Sequence, residues 1–210
     1  MTLTVITPAE CNDFTTLQAV KDYYDITDGT QDAKIERGIK YVSDFIRRVT
    51  GRVFAEETVL ETVRGFGNTQ LMLARYPVTD IQSITLRGEL ITDYEESDPE
   101  VGILYRRRGW EWSVQNLNGV GLNPIPNSED FIYAVTYTGG YCMPCATVCT
   151  RTLPYDLEQA AIELIGMYMD STPLNVSQIK VGDYSTTYRA GIPETISAIL
   201  KNYTVVSTGA

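Results

Sequence analysis

The chain has 210 residues with 27 acidic and 17 basic side chains, a formal charge of −10, and 43% apolar and 21% charged content. Such a length buries a core without metal or disulfide staples, and the composition is that of a globular protein. The acidic excess argues against a protein whose main business is gripping nucleic acid, and the complete lack of histidine removes Ser-His-Asp and Cys-His catalysis and histidine metal sites.

Thr15 and Thr16 are capping residues for a short helix from Leu17 to Asp25, which Asp28-Gly29-Thr30 breaks. A longer helix is predicted from about Gln31 to Thr50. Ile35, Ile39, Val42, Ile46 and Val49 are spaced 4, 3, 4 and 3 and form one apolar stripe, with Phe45 beside it. Gly51 is the expected left-handed C-cap, after Arg47 and Arg48.

From Val53 to about Tyr137 the period becomes two. Strands are predicted at Thr58–Arg64, Gln70–Arg75, Ile81–Leu86, Leu90–Tyr94, Ile103–Tyr105 and Phe131–Tyr137. In the last, Phe131, Tyr133, Val135 and Tyr137 share a face opposite Ile132, Ala134 and Thr136, so both faces are expected to be covered. Asn116 to Asp130 is rich in Gly, Asn and Pro and reads as a long loop.

Helical spacing then returns. Leu153-Pro154-Tyr155-Asp156 opens a helix whose Leu157, Ala161, Leu164, Ile165 and Tyr168 form an apolar face, and Ser-Thr-Pro173 ends it. Val176 to Tyr188 alternates loosely, as an extended arm or as a hairpin around Gly182-Asp183. Pro193 opens a last short helix with a stripe of Ile196, Ile199, Leu200 and Tyr203. The order predicts an α+β fold, a helical bundle built from the N- and C-terminal helices with an inserted antiparallel β region at about 55–137. We expect a single domain over 1–210, with a β-rich insertion over 53–137 and a C-terminal arm and short helix over 175–210.

Met1 to Glu10 has no basic segment followed by an apolar stretch, so no secretory signal is expected. Phe131 to Thr150 is twenty uncharged residues, long enough to span a bilayer. Gly139, Gly140, Pro144 and the strand-like alternation make it a buried strand and a loop instead. A soluble, cytoplasmic chain with no membrane partner is expected.

Cys142, Cys145 and Cys149 form C-x2-C-x3-C, which a zinc or disulfide reading could complete with Cys11. Zinc sites usually pair two short clusters, and here the second is one cysteine. The expectation is therefore small apolar thiols on a strand-to-helix loop in a reducing compartment, and no metal. The sequence contains no G-x-S-x-G, P-loop or dinucleotide fingerprint, and Gly65-Phe-Gly-Asn68 is a turn signal. No catalytic residue, no cofactor and no enzyme activity are expected.

Several pieces together resemble the head–tail connector (adaptor) family of tailed bacteriophages. They are Leu17-Gln-Ala-Val-Lys-Asp-Tyr-Tyr, Asp32 to Gly51 with its closing Thr-Gly-Arg52, and Arg75-Tyr-Pro-Val-Thr-Asp-Ile81. Val135-Thr-Tyr-Thr-Gly-Gly-Tyr141, Leu153-Pro-Tyr-Asp-Leu-Glu-Gln-Ala160, Gly182-Asp-Tyr-Ser and Ile192 to Tyr203 follow in the family's order. The chain departs from the pattern at Glu89 to Asp130 and in the cysteine loop 142–149. The resemblance implies a structural virion protein, made in the host cytoplasm and placed in the neck. Its copies would form a homo-oligomeric, usually dodecameric, ring below the portal protein, offering a platform to a stopper, tail terminator or other neck or tail protein. Double-stranded DNA would pass through without specific binding.

Two surface candidates stand beside that resemblance. The acidic run Glu89, Asp93, Glu95, Glu96, Asp98 and Glu100 could line the lumen, or be a solvated loop. Arg106, Arg107 and Arg108 with Trp110 and Trp112 suit an acidic partner or phosphate, or form a hairpin whose aromatics pack on the sheet. Ile196, Ile199, Leu200 and Tyr203 would pack on the subunit's own helices or on the portal. The competing classes are another virion ring or tube component, such as a stopper or tail terminator, and a non-viral interaction domain.

Overall fold

The computed structural model describes residues 2–111, 132–170, 178–181, 184–187 and 192–205. The chain forms two compact units, one from Met1–Glu10 and Phe54–Tyr141, the other from Cys11–Val53 and Cys142–Ala210. The described elements are helices and antiparallel sheets, as the α+β expectation has it.

The first unit is built on a five-stranded antiparallel sheet in the order β1-β2-β8-β4-β5. Its strands are β1 (Thr2–Thr7), β2 (Glu57–Arg64), β4 (Val78–Leu86), β5 (Glu89–Leu90) and β8 (Ile132–Gly139). A three-stranded sheet, β3-β7-β6, is made by β3 (Gln70–Met72), β6 (Glu95–Asp98) and β7 (Ile103–Tyr105). Both sheets share one core in which Leu71 and Leu104 of the smaller sheet join Val59, Val63, Ile84, Leu86, Tyr133, Val135 and Tyr137 of the larger. Each such side chain contributes about 1.5–3 kcal/mol of burial. On β8 the Tyr133, Val135 and Tyr137 face is fully buried, while Ala134 and Thr136 opposite are half-buried.

Two strands differ from expectation for visible reasons. The predicted strand Gln70–Arg75 stops at Met72 because the next amides turn to other acceptors. Leu73 N donates to the Gly102 carbonyl at 2.9 Å, Ala74 N to Glu61 Oε2 at 3.0 Å and Arg75 N to the Tyr137 hydroxyl at 2.9 Å. The predicted strand Leu90–Tyr94 is replaced by the two residues of β5. Arg87 (φ 54°) and Gly88 (φ 80°) make a tight hairpin that pairs Leu86 with Glu89 and Thr85 with Leu90. The chain then departs and reappears as β6, paired with β7. β1 is a strand that the sequence pattern does not predict, because its residues are nearly all exposed and show no buried face. The 116–130 loop and the Ser-Thr-Pro173 helix stop lie outside the described residues.

The second unit contains α1 (Leu17–Tyr23), α2 (Asp32–Thr50), α3 (Tyr155–Met169), α4 (Glu194–Asn202) and a hairpin of β9 (Gln178–Val181) with β10 (Tyr184–Thr187). Thr16 caps α1, its Oγ1 accepting from Ala19 N at 3.2 Å. Gly51 ends α2 in the left-handed region at φ 66°. Ile35, Ile39, Val42 and Ile46 are buried, but Val49 is 45% exposed. A 3.5-residue repeat drifts by about 20° per heptad on a straight helix, so the seam passes to Thr50, whose hydroxyl donates to the Ile46 carbonyl at 2.8 Å. Gly38 lets α2 and α3 approach, since a Cβ there would lie 3.0 Å from the Tyr168 ring. No helix among the described residues is long and apolar enough to cross a membrane.

Candidate functional site

All four cysteines are in disulfides, which corrects the expectation of reduced thiols. Cys11 pairs with Cys145 (Cα–Cα 6.1 Å) and Cys142 with Cys149 (6.0 Å). The fold brings the start of the N-terminal segment of this unit beside the loop before α3, a proximity across 134 residues that spacing alone does not reveal. With every thiol bonded, the zinc reading has no cysteine ligand left.

The arginine and tryptophan cluster is divided by burial. Trp110 is fully buried in the β core, stacked edge-on against Tyr133 at 5.0 Å, with Nε1 donating to the Thr69 carbonyl at 3.2 Å. Arg106 is 3% exposed, with its guanidinium 5.7 Å from the Trp110 ring centre. Its Nε donates to Asp93 Oδ1 at 2.9 Å and its Nη1 to the Tyr133 hydroxyl at 3.4 Å. Arg106 and Trp110 are thus internal, a correction to their reading as interface side chains. A planar cation beside an indole satisfies the core once a carboxylate reaches it. Arg107 and Arg108 are exposed, and Arg108 Nε lies 3.3 Å from Asp93 Oδ2. Trp112 lies outside the described residues.

The acidic run is exposed along its whole length. Glu89 lies in β5; Glu95, Glu96 and Asp98 lie in β6, one of the two edge strands of the smaller sheet; Glu100 follows. Asp93 is set apart from the others. The hydrogen bond from Arg106, with the charges of Arg106 and Arg108, holds its carboxyl below the ordinary range.

The C-terminal stripe is also split. Ile196 and Leu200 are buried in the helical unit, where α4 packs on α2 and α3. Ile199 is half-buried, and the Tyr203 hydroxyl donates to the Asp156 carboxylate at 3.0 and 3.1 Å. Ile196 and Leu200 pack within the subunit's own helices.

One buried pair escaped sequence reasoning. Glu61 stands on the core face of β2, fully buried, where alternation alone predicts an apolar residue. The acceptor role it plays toward Ala74 and Tyr137 depends on contacts far along the chain.

The model of the head completion protein family matches residues 13–206, and the chain belongs to that family of structural proteins of the virion head–tail junction. No curated protein matches it. Solved structures with a similar fold include a chain from the neck of an empty gene transfer agent (GTA) particle computed with C6 symmetry, at TM-score 0.58 and 15% identity, covering 100% of this chain and 99% of that one. A chain of the native GTA virion has TM-score 0.56, and one of the native GTA neck computed with C12 symmetry has 0.52, both at 15% identity with the same coverage.

Proposed function

We propose that copies of this chain close side by side into an adaptor ring between the portal protein and the next neck or tail protein, a stopper or tail terminator, continuing the DNA channel. Both units, 1–210, act as one connector subunit. The observation that carries this reading is membership of the head completion family over residues 13–206, joined to a fold shared along the full chain with proteins of symmetric necks. Dodecameric closure is the arrangement the resemblance favours.

Chemistry supports the channel role. The acidic edge of Glu95, Glu96 and Asp98, with Glu89 and Glu100, repels phosphate within about 10 Å at 0.1 M salt. A wall of that sign lets duplex DNA slide past without gripping it. Arg107 and Arg108 are the remaining candidates among the described residues for docking on an acidic neighbour, with the C-terminal part 175–203 as a second docking element. Substitution of both arginines by Ala should leave the monomer folded and weaken capture on portal particles in a sedimentation assay; undiminished capture would remove these two residues from the docking surface.

A further inference from the structure

β1 ends the five-stranded sheet, and among the described residues no strand pairs with the side turned away from β2, whose backbone N–H and C=O groups face any approaching strand. Such edges are ordinarily protected by Lys, Pro or a short length. Thr2-Leu-Thr-Val-Ile-Thr7 carries no charge in a chain of net −10. Its pairing with β2 runs in step from Thr2 to Val5 and shifts between Val5 and Thr7, leaving four regular residues as a template. The other edges differ. β5 has two residues, β3 has three, and β6 carries three carboxylates.

β9 and β10 pair with each other and with no third strand among the described residues. A lone two-stranded hairpin is marginal in water. β10, Tyr184-Ser-Thr-Thr187, is also four residues long, uncharged and composed largely of strand-favouring types.

We propose that β10 of a neighbouring copy adds to the open edge of β1, extending the sheet across the subunit boundary in the order β9-β10-β1-β2-β8-β4-β5. Backbone hydrogen bonds supply the attraction, and two uncharged strands let strongly acidic subunits meet there without repulsion. This rests on the ring reading above, in which copies of the chain meet side by side.

The test places a benzophenone side chain at Thr4 in virions assembled from an equal mixture of ordinary and heavy-isotope chains. Illumination should join Thr4 to the 178–187 peptide in pairs of one light and one heavy chain, and Val5→Lys should cut that yield to background. Crosslinks confined to light–light and heavy–heavy pairs would mean addition within one chain and overturn the proposal. Crosslinks from Thr4 to other segments would overturn it as well. An amine-reactive crosslinker on the same virions separates the two levels. Oligomer ladders without the Thr4 product sink the strand addition alone, whereas their absence sinks the ring.

Discussion

The Tyr137 hydroxyl donates to Glu61 Oε2 at 2.5 Å inside the β unit, and the Ala74 amide donates to the same oxygen at 3.0 Å. Glu61 Oε1 is buried with no hydrogen-bond partner among the described residues. Burial raises the Glu61 carboxyl above its ordinary value, against the lowering effect of Tyr137, Ala74 and Arg75. Burial and the neighbouring carboxylate likewise push the Tyr137 phenol up.

A raised folded value means that the folded state holds the proton more tightly than the unfolded chain. The contribution of Glu61 to stability is therefore fully present below the ordinary carboxylate range and is lost as pH rises through the folded value. Glu61→Gln should flatten the dependence of melting temperature on pH across that window. Tyr137→Phe should cost about 1–3 kcal/mol, since a buried acceptor loses its donor. An unchanged pH slope in the Gln variant would remove Glu61 as its source.

Arg106 and its neighbours should separate cleanly in denaturant melts. Arg106→Ala removes the bonds to Asp93 and Tyr133 and the packing on Trp110, at about 1–3 kcal/mol. Arg107→Ala and Arg108→Ala should stay within about 0.5 kcal/mol of the parent, as exposed substitutions do. Equal losses at all three positions would contradict the burial assigned here.

The disulfides should be measurable on protein recovered from particles. Alkylation before reduction should label no cysteine, and after reduction four. Loss of the Cys11–Cys145 bond by paired Ser substitution should cost about 2–4 kcal/mol, and more than loss of Cys142–Cys149, because the loop it closes is longer. Four alkylated cysteines without reduction would contradict the pairing.

Charge reversal on the acidic edge should act on DNA passage with little effect on folding. Glu95, Glu96 and Asp98 are exposed, so the triple Lys variant should melt near the parent temperature. Assembled particles should then eject DNA more slowly at low salt and recover toward the parent rate as salt screens the contact. An ejection rate independent of both substitution and salt would place these residues away from the channel.

Where local chemistry decides, the sequence is readable. Thr16 as cap, Gly51 as left-handed stop and the Ile35–Ile46 seam all follow from rules acting within a turn or two. The α4 stripe was also legible, because a 3.6-residue pattern needs no knowledge of its partner. Features set by distant contacts were hidden. β3 is cut short by Glu61 and Tyr137, which reach its following amides from two other strands. Arg106 looks like a surface cation until Asp93 and Tyr133 are brought to it, and Cys11 looks solitary until the fold sets it beside Cys145. Composition alone cannot distinguish an arginine that meets a partner from one that completes a core.

The most direct test of the ring is electron imaging of portal particles mixed with the purified chain. We expect one added ring of density below the portal, with rotational symmetry, a continuous central channel and a fit for both compact units in every repeat. Portal particles left bare, or decorated by scattered single copies, would contradict it.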